Sequence, residues 1–162
     1  DFFGVNIYWG TLTHLGENGL PETVANEPGS AVHMMGWPIT PESLYWGPKF
    51  FYRRYEKPVI ITENGIANID APALDKMVHD PQRIDFMARY LLALEKAIEE
   101  GVDIEGYFAW SFMDNFEWAL GFSRRFGLIY IDYNTQQRII KDSCYWYKEV
   151  IDTNGRSLAP AH

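Results

Sequence analysis

Two carboxylates and two indoles lie where apolar runs of this chain end. The apolar residues 58–61 lead into the tetrapeptide TENG, which contains Glu63, and a later run contains Trp110 and leads to Glu117 and Trp118. A glutamate is seldom buried without a partner, so one at the end of a buried run needs a chemical reason. Carboxylates accept hydrogen bonds from hydroxyl groups, and indole rings stack on flat apolar faces. Together these residue types favour a sugar as the ligand.

Three short apolar runs must position these side chains. They cover residues 2–9, 58–63 and 106–112, and such near-continuous runs are typical of parallel strands that are covered on both faces. In parallel α/β proteins the reactive residues follow the carboxyl ends of the strands. The first run brings Asn6 and Tyr8 to that end, so we expect them to lie beside the glutamate of TENG.

Helices are predicted between the strands, which makes the fold class α/β. One helix is expected to have Thr40 as its N-cap and Pro41 as its first residue. It should run to about Tyr55 with a break at the Gly-Pro pair of residues 47–48. The preceding loop, residues 11–39, is long and glycine-rich, and we expect it to be irregular.

The clearest helix follows the second strand. Asp80 is its predicted cap, Pro81 its first residue and Gly101 its end. Its predicted apolar stripe consists of Ile84, Met87, Leu91, Leu94 and Ile98. A hairpin that turns at residues 133–137 and a last helix over residues 143–151 complete the predicted elements.

Composition narrows the class of partner. The chain has 162 residues and a formal net charge of −8, which argues against nucleic acid or an anionic membrane surface as partner. Aromatic residues make up 16%, and with nucleic-acid bases disfavoured this again favours a sugar. Cys144 is the single cysteine, which fits a reducing compartment, so a cytoplasmic location is the expectation. No apolar stretch approaches the length of a membrane span.

These motifs resemble those of the family-1 glycoside hydrolases, the β-glucosidase family. VIITENG and GYFAWSFMDNFEWALGFSRRFG carry the resemblance, and DFFGVNIY, GWPITPESLYW and FGLIYIDYNTQQRIIKDSCYWYKEVI are similar to further segments of the family, in the same order. A lone TENG is weak evidence, whereas five ordered segments are specific. The resemblance implies a single partial domain over residues 1–162, the C-terminal portion of a (β/α)8 TIM barrel with about strands six to eight.

The resemblance also implies a role for each candidate residue. Glu63 would be the nucleophile of a retaining β-glycosidase, and Tyr8 would orient it, with Asn6 beside it. The other candidates would bind the substrate: Trp110 as the platform under the sugar ring, Glu117 and Trp118 as hydrogen-bonding groups, Trp37 on the aglycone side and Phe126 closing the pocket. Members of the family that act on 6-phosphosugars typically lack the glutamate of DNFEW, so the implied β-glycoside is unphosphorylated.

One part of the family pattern has no counterpart here. The family's general acid/base is a glutamate in a T-x-N-E-P motif after the fourth strand, and strands one to five are absent. The chain contains TVANEPGS with Glu27, but this segment has one residue more between Thr23 and Asn26 than the T-x-N-E-P motif allows, and no apolar strand precedes it. We therefore interpret Glu27 as a solvated glutamate. Because the chain opens directly on DFFGVNIYW without Met, we expect its partner to be the N-terminal half of the barrel, in the same parent protein or a companion chain.

Other functions stay open at this point. A sugar-binding or scaffold chain that does not turn over would use the same glutamate and tryptophans and would need no general acid. Glu63 could instead be a structural glutamate paired with an arginine, and a degenerate fragment would neither fold nor bind. The four histidines have no metal-ligand spacing with each other or with Cys144, so neither a metal nor an organic cofactor is expected.

Overall fold

The computed structural model describes residues 1–158, so the last four residues of the predicted partial domain lie outside the described residues. In chain order the elements are β1 (Phe3–Asn6), β2 (Thr13–Leu15), β3 (Pro21–Thr23), α1 (Ser43–Tyr55), β4 (Val59–Asn64), α2 (Pro81–Glu99), β5 (Ile104–Ala109), β6 (Ile129–Ile131), β7 (Arg138–Ile140) and α3 (Asp142–Asp152), with short 3-10 helices at Trp118–Leu120 and Arg156–Leu158. The central sheet is parallel and has the order β1–β4–β5, as expected for strand-helix-strand units.

The three central strands lie within or beside the predicted apolar runs, with shifted ends. The first is shorter than its run because pairing with β4 becomes irregular between Val5 and Asn6. A second irregularity falls between Ile61 and Asn64, where β4 pairs with β5. Bulges of this kind bend a strand and redirect its side chains. The backbone therefore leaves the regular ladder where the candidate site begins.

Helices cover one face of the sheet. Val59 and Ile61 of β4 are fully buried there and pack with Leu44 of α1 and Tyr90 of α2. Side chains alternate between the two faces of a strand, and on the other face Phe108 is 60% exposed. The expectation of strands covered on both faces is therefore wrong within residues 1–158.

Helix α1 is continuous, which corrects the predicted break. Pro48 lies inside the helix and is buried, although it removes one backbone N–H. Gly47 serves close packing, since a Cβ at this position would approach Ile7 Cδ1 to 2.8 Å. The helix also begins later than predicted, because the Thr40 hydroxyl does not cap it and instead accepts a hydrogen bond from the Gly10 N–H (2.9 Å).

Helix α2 begins at Pro81 as predicted, and Gly101, with φ of 91°, follows its end. Asp80 is the N-cap residue as predicted, but its side chain makes no capping hydrogen bond. The Asp80 carboxylate instead pairs with Arg83 and accepts hydrogen bonds from the Ser143 N–H (2.8 Å) and O–H (2.6 Å) at the start of α3. These charge-assisted bonds occupy the Asp80 carboxylate, so the side chain links α2 to the start of α3 and leaves the first turn of α2 without a side-chain cap.

The buried face of α2 is rotated from the predicted stripe. Its buried residues are Arg83, Phe86, Met87, Tyr90, Leu94 and Ala97. Of the predicted residues only Met87 and Leu94 are buried, while Ile84 and Leu91 are half-buried and Ile98 is exposed. The apolar pattern did not predict this face because Arg83 and Tyr90, which carry polar groups, are buried in it and bind polar partners.

The segment of residues 11–39 contains an antiparallel hairpin, β2–β3, so the expectation of a wholly irregular loop is wrong. The sequence held a signal, because Asn18 and Gly19 form an Asn-Gly dipeptide, which favours a tight turn. Gly19 has φ of 77°, and the Asn18 side chain accepts a hydrogen bond from the Leu20 N–H (2.8 Å). The predicted C-terminal hairpin is confirmed as β6–β7 and the last helix as α3. Within residues 1–158, no helix has both the length and the apolar character for crossing a bilayer.

Histidine 79 ties the segment before α2 to the start of α3, and its contribution to stability is expected to depend on pH. Its ring nitrogens contact Asp142 (2.6 Å) and Asp75 (3.0 Å). The hydrogen bond to Asp142, and then that to Asp75, raise the pKa of His79 above its ordinary 6.5. The stabilisation should be complete below about pH 6 and should be lost as the pH rises through the folded-state pKa.

Equilibrium unfolding of the unsubstituted chain and His79→Gln on both sides of this window measures the effect. The difference in free energy of unfolding should be larger below about pH 6 than above about pH 9, and small in size because the pair is exposed. His14→Gln is the control, since His14 lies 3.5 Å from Glu22 in an exposed pair. A His79→Gln deficit that is the same at both pH values would contradict the expectation.

Candidate active site

Glu63 near the end of β4 accepts a hydrogen bond from Tyr8, with 2.7 Å between the Tyr8 hydroxyl and Glu63 Oε2. Tyr8 follows β1, and β1 and β4 are parallel neighbours, so the two side chains meet at one edge of the sheet. Burial raises the pKa of the Tyr8 phenol well above its ordinary range, and the hydrogen bond and charge of Glu63 raise it further. Tyr8 therefore stays protonated and donates to the carboxylate.

The pair opens into a cleft of about 470 Å³. The residues that line it are Tyr8, Met35, Trp37, Glu63, Trp110, Glu117, Trp118, Ala119, Leu120 and Phe126. All of the predicted site residues except Asn6 lie in this one cleft. They come from the ends of the three parallel strands and from the segments that follow them, which is where parallel α/β proteins gather reactive groups.

Glu117 is the second carboxylate of the cleft, and it is held by Trp110. The Trp110 indole N–H donates to Glu117 Oε1 at 3.1 Å. Burial raises the pKa of the Glu117 carboxyl, the Trp110 hydrogen bond opposes that shift, and the charge of Glu63 adds to it. A carboxylate has about four lone-pair sites, so Glu117 keeps acceptor capacity for a hydroxyl group in the cleft.

The aromatic side chains divide into a wall and a rim. Trp37 contacts the Tyr8 ring edge-on at 5.4 Å between centroids, and Phe126 lies 6.3 Å from the same ring. Phe126 is buried, whereas Trp118 is 84% exposed. The wall is therefore fixed by packing, and Trp118 presents a free indole at the rim.

Asn6 and Glu27, two polar residues that the sequence analysis considered, lie outside the cleft. Asn6 pairs with Glu63 in the strand ladder, but its Oδ1 accepts a hydrogen bond from the Thr62 hydroxyl (2.6 Å). It thus lies opposite Glu63 on the neighbouring strand without lining the cleft. Glu27 is exposed in the irregular segment after β3, in agreement with its interpretation as a solvated glutamate.

Sequence reasoning missed the side chains directly behind Glu63. Asn64 is fully buried, donates to the Ile7 carbonyl (2.8 Å) and accepts from the Tyr107 hydroxyl (2.8 Å). The sequence held no signal for this burial, because regular alternation would place Asn64 on the same face as the exposed Thr62. The irregularity of β4 between Ile61 and Asn64 brings the amide to the buried side, where it must find partners. Met35 of the cleft lining had no signal, because its segment is irregular.

Gly65 permits the close approach of Trp110, which directly follows β5, and Gly65→Ala is expected to destabilise the fold. A Cβ at Gly65 would overlap the Trp110 carbonyl oxygen. Overpacking of this kind typically costs about 1–3 kcal/mol, and more where backbone must move. Urea unfolding should therefore show a loss of at least about 2 kcal/mol.

Gly106→Ala is the matched control, since its Cβ would meet Ile60 Cγ2 at 3.4 Å, an ordinary contact. It should lose less stability than Gly65→Ala. Equal losses in the two variants would mean that backbone flexibility, and not the close contact with Trp110, makes glycine necessary at position 65.

A buried ion network joins the loops that follow β4 and β5. Lys141 is fully buried, and its Nζ donates to Asp70 (2.5 Å) and Asp114 (2.9 Å). Arg83 also pairs with Asp70 (2.7 Å), and Arg125 pairs with Asp114 (2.5 Å). Asp70 belongs to the loop after β4 and Asp114 to the loop after β5, so opposite charges hold the two loops together.

No group of three or more His, Cys, Asp and Glu side chains that could hold a metal ion occurs in residues 1–158. That the chemistry uses neither a metal nor an organic cofactor stays a prediction.

Comparison with known proteins identifies the family of this chain. The profile of Glycosyl hydrolase family 1 matches residues 1–156. β-Glucosidase A of Thermotoga maritima is 46% identical over 156 residues, which cover 96% of this chain and 35% of that protein. A bifunctional β-D-glucosidase/β-D-fucosidase of Bifidobacterium breve is 51% identical over 122 residues, or 72% of this chain and 26% of that protein.

Solved structures give the same result. β-Glucosidase from Thermotoga maritima in complex with glucoimidazole superposes with a TM-score of 0.87 at 46% identity, over 96% of this chain and 35% of that one. The chain belongs to glycosyl hydrolase family 1, and its sheet and helices form part of a (β/α)8 barrel. It spans 35% of the length of the Thermotoga relative.

Proposed function

We propose that the whole protein is a retaining β-glycosidase of the β-glucosidase type, and that this chain supplies its nucleophile and much of its glycone pocket. The observation that carries the proposal is the hydrogen bond from Tyr8 to Glu63 in a cleft that also holds Glu117 and two tryptophans. The names of the relatives, β-glucosidases and a β-glucosidase/β-fucosidase, support terminal β-D-glycosides as the substrate class.

Glu63 performs the first displacement. Its free oxygen, Oε1, attacks the anomeric carbon and forms an ester while the bond to the leaving oxygen breaks and that oxygen takes a proton from a general acid. Water then attacks the same carbon, gives a proton to the same group, now acting as base, and releases Glu63 as a carboxylate. Tyr8 occupies Oε2 throughout, which keeps the attacking oxygen aimed.

The glycone is recognised by the second carboxylate and the indoles. Glu117 accepts from sugar hydroxyls, Trp110 lies under the ring, and the exposed indole of Trp118 donates its N–H. Trp37 extends the cleft towards the aglycone, and Phe126 closes its inner end. A phosphate group on the sugar would meet the charge of Glu117, so the substrate is unphosphorylated.

The general acid comes from the remaining part of the barrel, strands one to five, in the same parent protein or a companion chain. In this assignment β1, β4 and β5 are strands six, seven and eight. Support comes from the sheet, whose open face leaves Phe2 58% and Phe108 60% exposed. Strands β1 and β5 are also its outer strands, and unpaired edges of this kind call for a partner.

A second candidate is a sugar-binding or scaffold chain that does not turn over. The carboxylates of the cleft are Glu63 and Glu117. Glu117 accepts a hydrogen bond from Trp110 and is placed to bind a ligand, not to protonate a leaving group. A cleft that binds a sugar without supplying a general acid favours this second candidate.

Trapping the glycosyl-enzyme separates the two candidates. The chain, alone and within its parent protein, is incubated with a 2-deoxy-2-fluoro β-glucoside that carries a dinitrophenolate leaving group, and intact and peptide masses are measured. This leaving group needs little help from an acid, and the fluorine slows breakdown of the ester. We expect one added sugar on the peptide that contains Glu63.

Two variants control the experiment. Glu63→Gln should take up no sugar, and Glu27→Gln should be labelled as fast as the unsubstituted chain, since Glu27 lies outside the cleft. No adduct in a folded sample of the parent protein would overturn the catalytic proposal and favour the binding function. Loss of label in Glu27→Gln would show that its assignment to solvent is wrong.

A further inference from the structure

The backbone that carries Tyr8 is not fixed by the sheet alone. Strand β1 ends at Asn6, and the last backbone bond of this segment to the neighbouring strand runs from the Ile7 N–H to the Glu63 carbonyl (3.0 Å). Tyr8 lies one residue further on, yet its hydroxyl must meet a single carboxylate oxygen. A side chain that orients a reacting group needs support that limits its own movement.

Side chains from other elements hold two successive carbonyl groups at this point. The Ile7 carbonyl accepts from the Asn64 amide (2.8 Å), and the Tyr8 carbonyl accepts from the Tyr90 hydroxyl (3.1 Å). Tyr90 lies in α2, is 82 residues from Tyr8 in sequence and is fully buried. The hydroxyl also accepts the Thr40 N–H (2.9 Å), so both its donor and an acceptor site are used.

Thr40 secures the other side of the same segment. Its own hydroxyl accepts from the Gly10 N–H (2.9 Å), two residues after Tyr8. Tyr90 and Thr40 are hydrogen-bonded to each other, so they act on the segment as one unit. Tyr90 and Thr40 therefore fix the backbone between the Tyr8 carbonyl and the Gly10 amide, and they link this segment to α2.

We propose that Tyr90 is a positioning residue for the nucleophile, because its hydroxyl binds the Tyr8 carbonyl and thereby fixes the backbone from which Tyr8 reaches Glu63. The word nucleophile here rests on the proposed function, whereas the placement of Tyr8 against Glu63 does not.

The hydroxyl of Tyr90 can be separated from its packing. The ring stacks on Phe86 at 4.0 Å between centroids and belongs to the buried cluster of the core, and a phenylalanine would fill the same place. Tyr90→Phe removes only the hydrogen bonds and leaves the Tyr8 carbonyl and the Thr40 N–H without that partner. Tyr52→Phe is the matched control, since Tyr52 packs against the same cluster from α1.

Fluorine NMR of the full chain tests the proposal without any substrate. 3-Fluorotyrosine is placed at position 8, in a sample, alone or assembled in its parent protein, that unfolds cooperatively. The unsubstituted protein should give one narrow resonance whose shift stays constant into the alkaline range, because burial and Glu63 raise the pKa of the Tyr8 phenol. Glu63→Gln provides the reference for a phenol that has lost the carboxylate charge.

Tyr90→Phe should broaden or split this resonance, shift it towards the Glu63→Gln reference and let it titrate at lower pH. Tyr52→Phe should leave it unchanged, and 4-aminophenylalanine at position 90, which keeps a donor, should restore it. A Tyr90→Phe resonance identical to that of the unsubstituted protein overturns the proposal, and so does an equal change in Tyr52→Phe. If Tyr90→Phe does not fold, the protein with 4-aminophenylalanine at position 90 decides the question. A resonance displaced from that of the unsubstituted protein would then overturn the proposal.

Kinetics add a second readout. In the parent protein, the rate constant for forming the fluoroglycosyl-enzyme should fall about tenfold in Tyr90→Phe, the effect expected of one hydrogen bond, with little change in affinity for the glycoside. If the unsubstituted protein is never labelled, the proposed function fails while the NMR result still decides the role of Tyr90. Normal labelling with an unchanged resonance overturns the role of Tyr90 alone.

Discussion

Replacing Glu63 by Gln is expected to lower glycosyl transfer in the parent protein by about 10³-fold or more, because removal of a nucleophile from a hydrolase costs up to about 10⁶-fold. The amide keeps the shape of the side chain and an acceptor for the Tyr8 hydroxyl, which lies 2.7 Å from Glu63 Oε2. It lacks the negative charge that attacks the anomeric carbon. The measurement is the release of dinitrophenolate from the activated β-glucoside under single-turnover conditions.

A matched control and a rescue make this result specific. Glu105→Gln changes the charge by the same amount at an exposed position of β5 outside the cleft and should leave the rate unchanged. In Glu63→Gly, azide can enter the vacated space, attack the anomeric carbon and expel dinitrophenolate, which converts the β-glycoside into an α-glycosyl azide. A β-configured product, or an active Glu63→Gln protein, would show that another group attacks.

The sheet and its reactive edge were predictable because local sequence encodes them. Apolar runs located the three parallel strands, and Asp-Pro and Gly signals located both ends of α2. The partners of polar side chains were not predictable. The Thr40 hydroxyl caps no helix because Gly10, 30 residues away in sequence, uses it, and Asp80 turns to Ser143, 63 residues away. Only the folded chain brings such groups together.

The candidate site follows the same division. Residue type and position at strand ends were enough to place Glu63, Tyr8 and Glu117 in one cleft. Asn6 was expected on the same grounds, but the side chain bonds Thr62 and does not line the cleft. The hydroxyl of Tyr90 gave no signal at all, because an apolar helix face predicts burial of a tyrosine ring without saying which carbonyl its hydroxyl will reach.

The largest stability effect is expected for Lys141→Met, which should lower the free energy of unfolding by about 3–5 kcal/mol. Lys141 is fully buried and donates to Asp70 and Asp114. Burial lowers the pKa of its ammonium group and the charge of Arg83 lowers it further, while the two carboxylates oppose both effects. Without the cation, two buried carboxylates lose a partner in a region of low dielectric, and equilibrium unfolding in urea measures the loss.

Lys148→Met removes the same side chain from an exposed pair with Asp152 and should cost less than about 1 kcal/mol. A similar loss in both variants would contradict a special role for the buried network. Asp114 lies between Trp110 and Glu117 in sequence, so Lys141→Met should also make the indoles of the cleft more accessible to a fluorescence quencher. Lower stability with unchanged quenching would mean that the network stabilises the fold without positioning the site. Lower stability together with increased quenching would mean that the same buried charges both stabilise the fold and position the indoles of the cleft.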